Sequence, residues 1–230
     1  MPQYFDEQPD ASHDLEQVEV AVAGVTLTLT TDSGVFSRHR LDPGTAVLLR
    51  KAPPPPMHGE ILDLGCGYGP IACAMALLSP DAHVWAVDVN ERARELTALN
   101  AGANGLTNVT VAAPDDVPPE IRFDAIFSNP PIRVGKDAMQ TMLARWLRRL
   151  APSAEHSAFV DESLRAQRAA SAPFGKGTRG PGGRAYLVVQ KHLGADSLQH
   201  WLQREGFLTE RFASSKGYRV LIVAGRVART

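Results

Sequence analysis

FDAIFSNPPIRVGK, residues 123 to 136, brings a carboxamide and two adjacent prolines to the end of an apolar strand. Two prolines continue neither a strand nor a helix, because each fixes φ and lacks an N–H. Asn129 offers a side-chain oxygen and Pro130 a peptide carbonyl, with Pro131 stiffening the turn. Two rigid oxygen acceptors can receive the N–H groups of an amine whose lone pair is delocalised into a ring. Set off the ring plane, they favour a pyramidal nitrogen with its lone pair free to attack. The plain alternative is a Pro-Pro turn capped locally by Asn129.

A second stretch, LDLGCGYGP, turns from a strand into a helix. Gly65, Gly67 and Gly69, with Cys66 between the first two, let the backbone pass close to a ligand. Asp88, with Val89 beside it, ends the next strand 23 residues after Gly65. A carboxylate there suits two ribose hydroxyls. Asp115 and Asp116 follow the third strand, where an adenine would lie. A dinucleotide fingerprint asks for a glycine at 70, and Pro70 stands there. Asp63, just before the turn, is a poor neighbour for a diphosphate and a good one for an ammonium group. Ribose, adenine and ammonium together describe S-adenosylmethionine, whose demethylated product is S-adenosylhomocysteine. A tight strand-to-helix turn is what the glycines alone imply.

The elements that must position these residues are legible from periodicity. VEVAVAGVTLTLTTD (18–32) alternates apolar and polar residues around Ala23-Gly24 and predicts a β-hairpin. GVFS (34–37) predicts one more short strand. PGTAVLLRKA predicts a helix with Asp42 as N-cap and Pro43 in the first position. APPPPMHG (52–59) reads as a stiff linker. From Glu60 onward strands and helices alternate and end in a strand pair, FLTERFAS and GYRVLIVAGR. That order predicts an α/β, Rossmann-like, seven-stranded, mostly parallel sheet with helices on both faces and a C-terminal antiparallel hairpin. Residues 152–183 are rich in Ser, Ala, Gly, Pro and Arg and far exceed the ~2–6 residues a helix-to-strand connection usually takes. The expected layout is a flexible acidic N-terminus (1–17), an N-terminal β extension with a Pro-rich linker (18–57), and a main domain (58–230) with a disordered insertion (152–183).

The totals narrow the class. In 230 residues, 44% apolar and 21% charged composition suits a globular α/β core. No apolar run reaches the ~18–20 residues of a membrane span, and MPQYFDEQPD lacks a signal-peptide core. Cys66 and Cys73 form no disulfide framework, and no histidine cluster has metal-ligand spacing. The expectation is a cytoplasmic protein without membrane or metal. Residues 1–130 carry 7 Lys+Arg against 18 Asp+Glu, and residues 131–230 carry 17 against 7. That split is compatible with a nucleic-acid-facing surface and equally with helix faces that mix on folding.

ILDLGCGYG, the distal Asp88 and the terminal hairpin resemble class I S-adenosylmethionine-dependent methyltransferases, and SNPPIRVGK resembles the Asn-Pro-Pro group that methylates planar amino groups. GVFSRHRLDPGTAVLL and SSKGYRVL are similar to the small-subunit ribosomal RNA guanine 2-amino methyltransferases. Well-known members of that family carry a duplicated N-terminal domain, for which this chain is too short. The resemblance implies methyl transfer to guanine 2-amino nitrogen, with RNA, ribosomal RNA or a small-subunit particle, as partner. It makes Asn129, Pro130 and Pro131 catalytic. It places Phe36 near the cofactor, where its ring can serve the substrate, and Thr45 near the cofactor carboxylate. Ile132 stands where the signature has Tyr or Phe. Arg133, Lys136 and Lys191 are the candidates for RNA phosphate. Adenine 6-amino or protein glutamine methylation and a non-catalytic cofactor-binding module are the alternatives.

Overall fold

The computed structural model describes residues 14–22, 24–33, 35, 39–131, 134–152 and 182–226. The acidic N-terminus up to residue 13, most of the 34–37 segment and nearly all of the 152–183 insertion lie outside them.

Strands β1 (Glu16–Val22) and β2 (Val25–Thr31) form the expected antiparallel hairpin. Their inward residues Val18, Val20, Val22, Leu27 and Leu29 are buried, as period-two alternation requires. Helix α1 (Pro43–Lys51) starts as its sequence predicts: Pro43 is first, and the Asp42 carboxylate accepts from the Thr45 N–H.

The main sheet is built from β3 (Gly59–Leu64), β4 (Ala82–Val87), β5 (Val109–Ala112), β6 (Ala125–Ser128), β7 (Arg184–Gln190), β8 (Phe207–Ser215) and β9 (Tyr218–Arg226). Its order is β5-β4-β3-β6-β7-β9-β8. The first five of these are parallel, and β9 runs antiparallel between β7 and β8. Among the described residues the sheet is flanked by helices α2 (Pro70–Leu78), α3 (Glu91–Ala103), α4 (Lys136–Leu147) and α5 (Ala195–Arg204). Alternate residues of each central strand enter opposite cores. Ile61 and Phe127 pack in one with α2, α3 and the hairpin, whereas Leu62, Leu64 and Ile126 pack in the other with Leu143, Trp146 and Leu198 of α4 and α5. Helix α2 is apolar nearly all round, and every residue from Pro70 to Ala76 is buried. Trp146 belongs to the core, as its place on an apolar helix face predicts.

Two side-chain amides of α3 and its C-cap fasten the hairpin. Asn100 on α3 is fully buried. Its Oδ1 accepts from the Thr30 N–H (2.7 Å), and its Nδ2 donates to the carbonyls of Thr30 (2.8 Å) and Tyr68 (2.7 Å). Asn104, one turn on, donates to the Thr28 carbonyl at 3.1 Å. These side chains satisfy backbone groups of β2 and bind the hairpin to the glycine turn. Asn100→Ala strands three such groups, one in a fully buried bond and two in part-buried ones, each worth about 1–3 kcal/mol when unmet. The expected loss is roughly 3–5 kcal/mol of unfolding free energy, read as a lower urea midpoint.

Candidate functional site

The strand order reverses between β3 and β6, because the chain moves from β3 outward through β4 and β5 and then returns. Open α/β sheets bind ligands at such a switch point, beyond the carboxyl ends of the strands. Here the ends of three neighbouring strands carry all three motifs: Gly65–Gly69 after β3, Asp88 after β4, and Asn129-Pro130-Pro131 after β6. They open on one cleft of about 710 Å³, in the range of small-molecule sites.

One part of the cleft is made by the glycine turn and Asp88. Gly65 (φ 77°) and Gly67 (φ 58°) occupy the left-handed region, and a Cβ on either would meet no atom of the described residues within 4 Å. Glycine is there for the turn, and bare backbone faces open space. Gly69 is different: its φ is 90°, and a Cβ would lie 3.0 Å from the Thr97 side chain. Asp88 accepts from the Gly67 N–H through Oδ2 and from the Asn90 N–H through Oδ1, both at 3.0 Å. Burial pushes its carboxyl above the usual range, and these bonds and Arg94 oppose that. Cys66 and Val89 also line the cleft, together with Pro114, Arg145 and Trp146.

Two expectations are corrected here. Asp115 and Asp116 are exposed and do not line the cleft; the Asp115 carboxylate pairs with Arg145 at 2.7 Å, and the preceding Pro114 takes the wall position. Asp63 does not line the cleft either. It points into the α2-side core, fully buried, where Oδ2 accepts from the Ala72 N–H at 2.9 Å and Oδ1 has no partner among the described residues. Burial is the main cause that pushes its carboxyl up to about 8, with the Asp88 charge adding to it. Between about pH 4 and pH 8 the unfolded chain therefore releases this proton while the folded protein keeps it. Stability from this group is fully present below the unfolded pKa and is lost as pH rises through about 8. Asp88 tilts the same way, so the expected result is a comparison: the wild-type urea midpoint falls more between pH 5 and pH 8 than that of Asp63→Asn.

The Asn-Pro-Pro turn forms the rest of the cleft with Asp42, Thr45, Tyr68, Gln190, Leu193 and Tyr218. The Asn129 amide nitrogen donates to Asp42 Oδ1 at 2.7 Å and to Thr45 Oγ1 at 3.2 Å. Among the described residues no donor is bonded to the Asn129 oxygen or to the Pro130 carbonyl. The Thr45 hydroxyl, expected beside a cofactor carboxylate, is buried and engaged by Asn129. Phe36, Ile132 and Arg133 lie outside the described residues. Lys136 and Lys191 are exposed and contribute nothing to the cleft wall.

The sequence reading missed three lining groups. Tyr68 is buried and its hydroxyl has no partner among the described residues. Burial, then the charge of Asp42, raises its pKa. The Tyr218 ring packs so close to α1 that a Cβ at Gly44 would sit 3.0 Å from its Cε1. Gln190 ends β7 beside it. The SSKGYRVL segment was the available signal for Tyr218; nothing in sequence pointed to Gln190.

The arrangement can seat a nucleoside against bare glycine backbone, hold hydroxyls on Asp88, and present two acceptors to an amine. Among the described residues no group of three or more His, Cys, Asp or Glu is placed to hold a metal ion, and no helix is long and apolar enough to cross a membrane.

Residues 26–179 match the family described as "Methyltransferase small domain". Protein YbxB of Bacillus subtilis (strain 168) is 32% identical over 221 residues, covering 95% of this chain and 96% of YbxB. Ribosomal RNA small subunit methyltransferase C of Shewanella loihica is 37% identical over 121 residues, 53% of this chain but 35% of the relative. The fold is shared with the Thermus thermophilus 16S rRNA N2 G1207 methyltransferase, solved in complex with AdoMet and guanosine. That match has a TM-score of 0.68 at 22% identity and covers 92% of this chain and 51% of the other. The chain thus spans between a third and about half of the length of these two rRNA methyltransferases.

Proposed function

The chain belongs to the methyltransferase small domain family, and from that premise we propose that it methylates the 2-amino group of guanine in ribosomal RNA, with S-adenosylmethionine as donor. The observation that carries this reading is the Asn129 amide. Its nitrogen is held by Asp42 and Thr45, which leaves its oxygen as an acceptor next to the Pro130 carbonyl in the same cleft as Asp88.

S-Adenosylmethionine, when bound, supplies a methyl group activated by a sulfonium. The cleft fits such a ligand: glycine backbone faces space clear of the described residues, and the Asp88 carboxylate retains acceptor capacity beyond its backbone bonds to Gly67, Asn90 and Val89. Asp88 is the residue for ribose hydroxyls. Val89 and Pro114 offer apolar surface for a base. Asn129 and Pro130 accept the two N–H bonds of the guanine amine and turn its lone pair toward the donor. The amine nitrogen gains the methyl carbon as the carbon–sulfur bond breaks, S-adenosylhomocysteine is left, and one nitrogen proton, acidic only as the new bond forms, passes to water, so no strong base is needed. Catalysis is then mostly alignment and preorganised polarity. The Tyr218 ring offers an aromatic face in this cleft, whereas Ile132 stands at the position where Asn-Pro-Pro proteins carry an aromatic residue.

Names of relatives support the guanine amine in small-subunit rRNA. The test is incubation with methyl-labelled donor and either rRNA, intact small subunits or total protein, followed by nucleoside digestion. Label in 2-methylguanosine is the expected result. Label in 6-methyladenosine or in protein would move the substrate, and donor binding without any transfer would end the enzymatic reading. The comparison of naked rRNA with subunits decides which of them is the partner.

A further inference from the structure

Asp42 has two bonds on one oxygen. Its Oδ1 accepts from the Thr45 N–H at 2.9 Å, which caps α1, and from the Asn129 side-chain nitrogen at 2.7 Å. The two side chains are 87 positions apart in sequence. A helix cap alone needs no such reach, and Ser, Thr or Asn would serve it as well. We propose that Asp42 is a positioning residue that acts through Asn129, fixing which end of that amide faces the cleft. This rests on the reading of Asn129 as the amine acceptor.

A carboxamide is nearly symmetric in shape and can rotate by half a turn, exchanging its oxygen and its NH2. Only one of the two orientations accepts an N–H from an amine; the other presents donors to donors. A carboxylate has acceptors only, so a flipped Asn129 would set its oxygen against the Asp42 oxygen at the distance of a hydrogen bond. Thr45 Oγ1, at 3.2 Å, takes the second amide hydrogen, but a hydroxyl can also donate and so tolerates either orientation. Asp42 is therefore the group that discriminates. Its place is secured by the first turn of α1, where Gly44 lets the helix approach the Tyr218 ring and Pro43 sets the entry. The helix start and the amine-binding turn are thus one unit: the cap that begins α1 also decides the polarity of the site.

The experiment separates capping from positioning. Asp42→Ser keeps a good N-cap but brings a shorter hydroxyl that can donate as well as accept. Single-turnover methyl transfer to rRNA is expected to slow by roughly 10–100-fold, with donor affinity from calorimetry within about threefold and a thermal midpoint within a few degrees. Asp42→Asn retains an acceptor oxygen in the same shape and is expected to recover much of the rate. A wild-type rate in Asp42→Ser, or a deficit lying wholly in donor affinity, overturns the proposal. Wild-type NMR gives an independent readout should Asp42→Ser fold poorly. The Asn129 side-chain NH2 signals, assigned by their absence in Asn129→Ala, should be shifted downfield and exchange slowly. Free, fast-exchanging signals overturn it too. Asn129→Ala run in parallel keeps the two ideas apart: an active Asn129→Ala defeats the functional reading, whereas an inactive one beside an unimpaired Asp42→Ser defeats only this inference.

Discussion

Asn129→Ala removes methyl transfer and leaves the donor bound. The expected fall in the single-turnover rate is at least 10²–10³-fold, the usual consequence of deleting one preorganised polar partner of a transition state. Donor affinity should change by less than about threefold, because the amide is bonded to Asp42 and Thr45 and not to the glycine turn. The physical reason is that a ring-conjugated amine is a poor nucleophile until its lone pair is held out of conjugation and pointed at carbon. One acceptor fixes a single N–H and leaves the nitrogen free to turn; two fix the plane. Alignment of this kind supplies up to ~7–11 kcal/mol in favourable systems, so losing half the clamp costs a large fraction of the rate. Asn129→Asp should fail almost as badly at neutral pH. Its carboxylate would face the Asp42 oxygen now bonded to an N–H at 2.7 Å, and the two anions must separate or share a proton. The measurement is rapid-quench transfer with saturating donor. A rate near wild type in Asn129→Ala would take the amide out of the mechanism.

Most of the fold was legible because each strand announces itself by period two or by a short apolar run, and two helices by a side-chain cap, Asp42 and Asn90. The Asp42-Pro43 start is such a case: the cap, the proline and the bond to Thr45 all follow from four residues. The three strand-end motifs were legible for the same reason, since parallel strands must end on one edge and the sheet order then brings three of those ends together. What escaped was side and distance. Asp63 was placed beside the ligand because it adjoins the glycines, yet Ile61 and Asp63 share a face of β3 that packs under α2. Alternation along the strand held that information, and proximity in sequence obscured it. The pair Asp42 and Asn129 was invisible for a different reason: Asp42 already had a local task as a cap, and nothing local states that one oxygen carries a second bond across the fold. Asp115 and Asp116 sit at the right loop, but Pro114 carries the wall while their carboxylates face outward.

Asp88→Ala is expected to give the opposite kinetic signature from the Asn129 variants. In the folded chain the Asp88 carboxylate accepts backbone N–H groups from Gly67, Asn90 and Val89, and the Arg94 guanidinium donates to the Asp88 carbonyl at 2.9 Å. The side chain thus shapes the glycine turn, and on the proposed reading its remaining acceptor capacity receives the ribose hydroxyls. Removing it costs both. Two charge-assisted bonds to a ligand are worth about 1.5–3 kcal/mol each, less what water returns, so the donor Kd should rise roughly 100-fold. The product S-adenosylhomocysteine, which carries the same ribose, should weaken by a similar factor. On the proposed reading the ribose lies away from the reacting atoms, and its contacts are the same before and during methyl transfer. Binding of that uniform kind raises KM when lost and leaves kcat nearly intact, so saturating donor should restore turnover to within about fivefold. Asp88→Asn is no neutral control, because its NH2 must oppose either the Gly67 or the Asn90 N–H; it should fall between wild type and Ala. Calorimetric titration with donor and with product, set against kcat at saturation, measures this directly. Wild-type affinity for both ligands in Asp88→Ala would mean the nucleoside does not rest on this carboxylate. A collapse of kcat that saturating donor cannot relieve would mean that the carboxylate, by holding the Gly67 N–H, acts on the chemistry and not on binding alone.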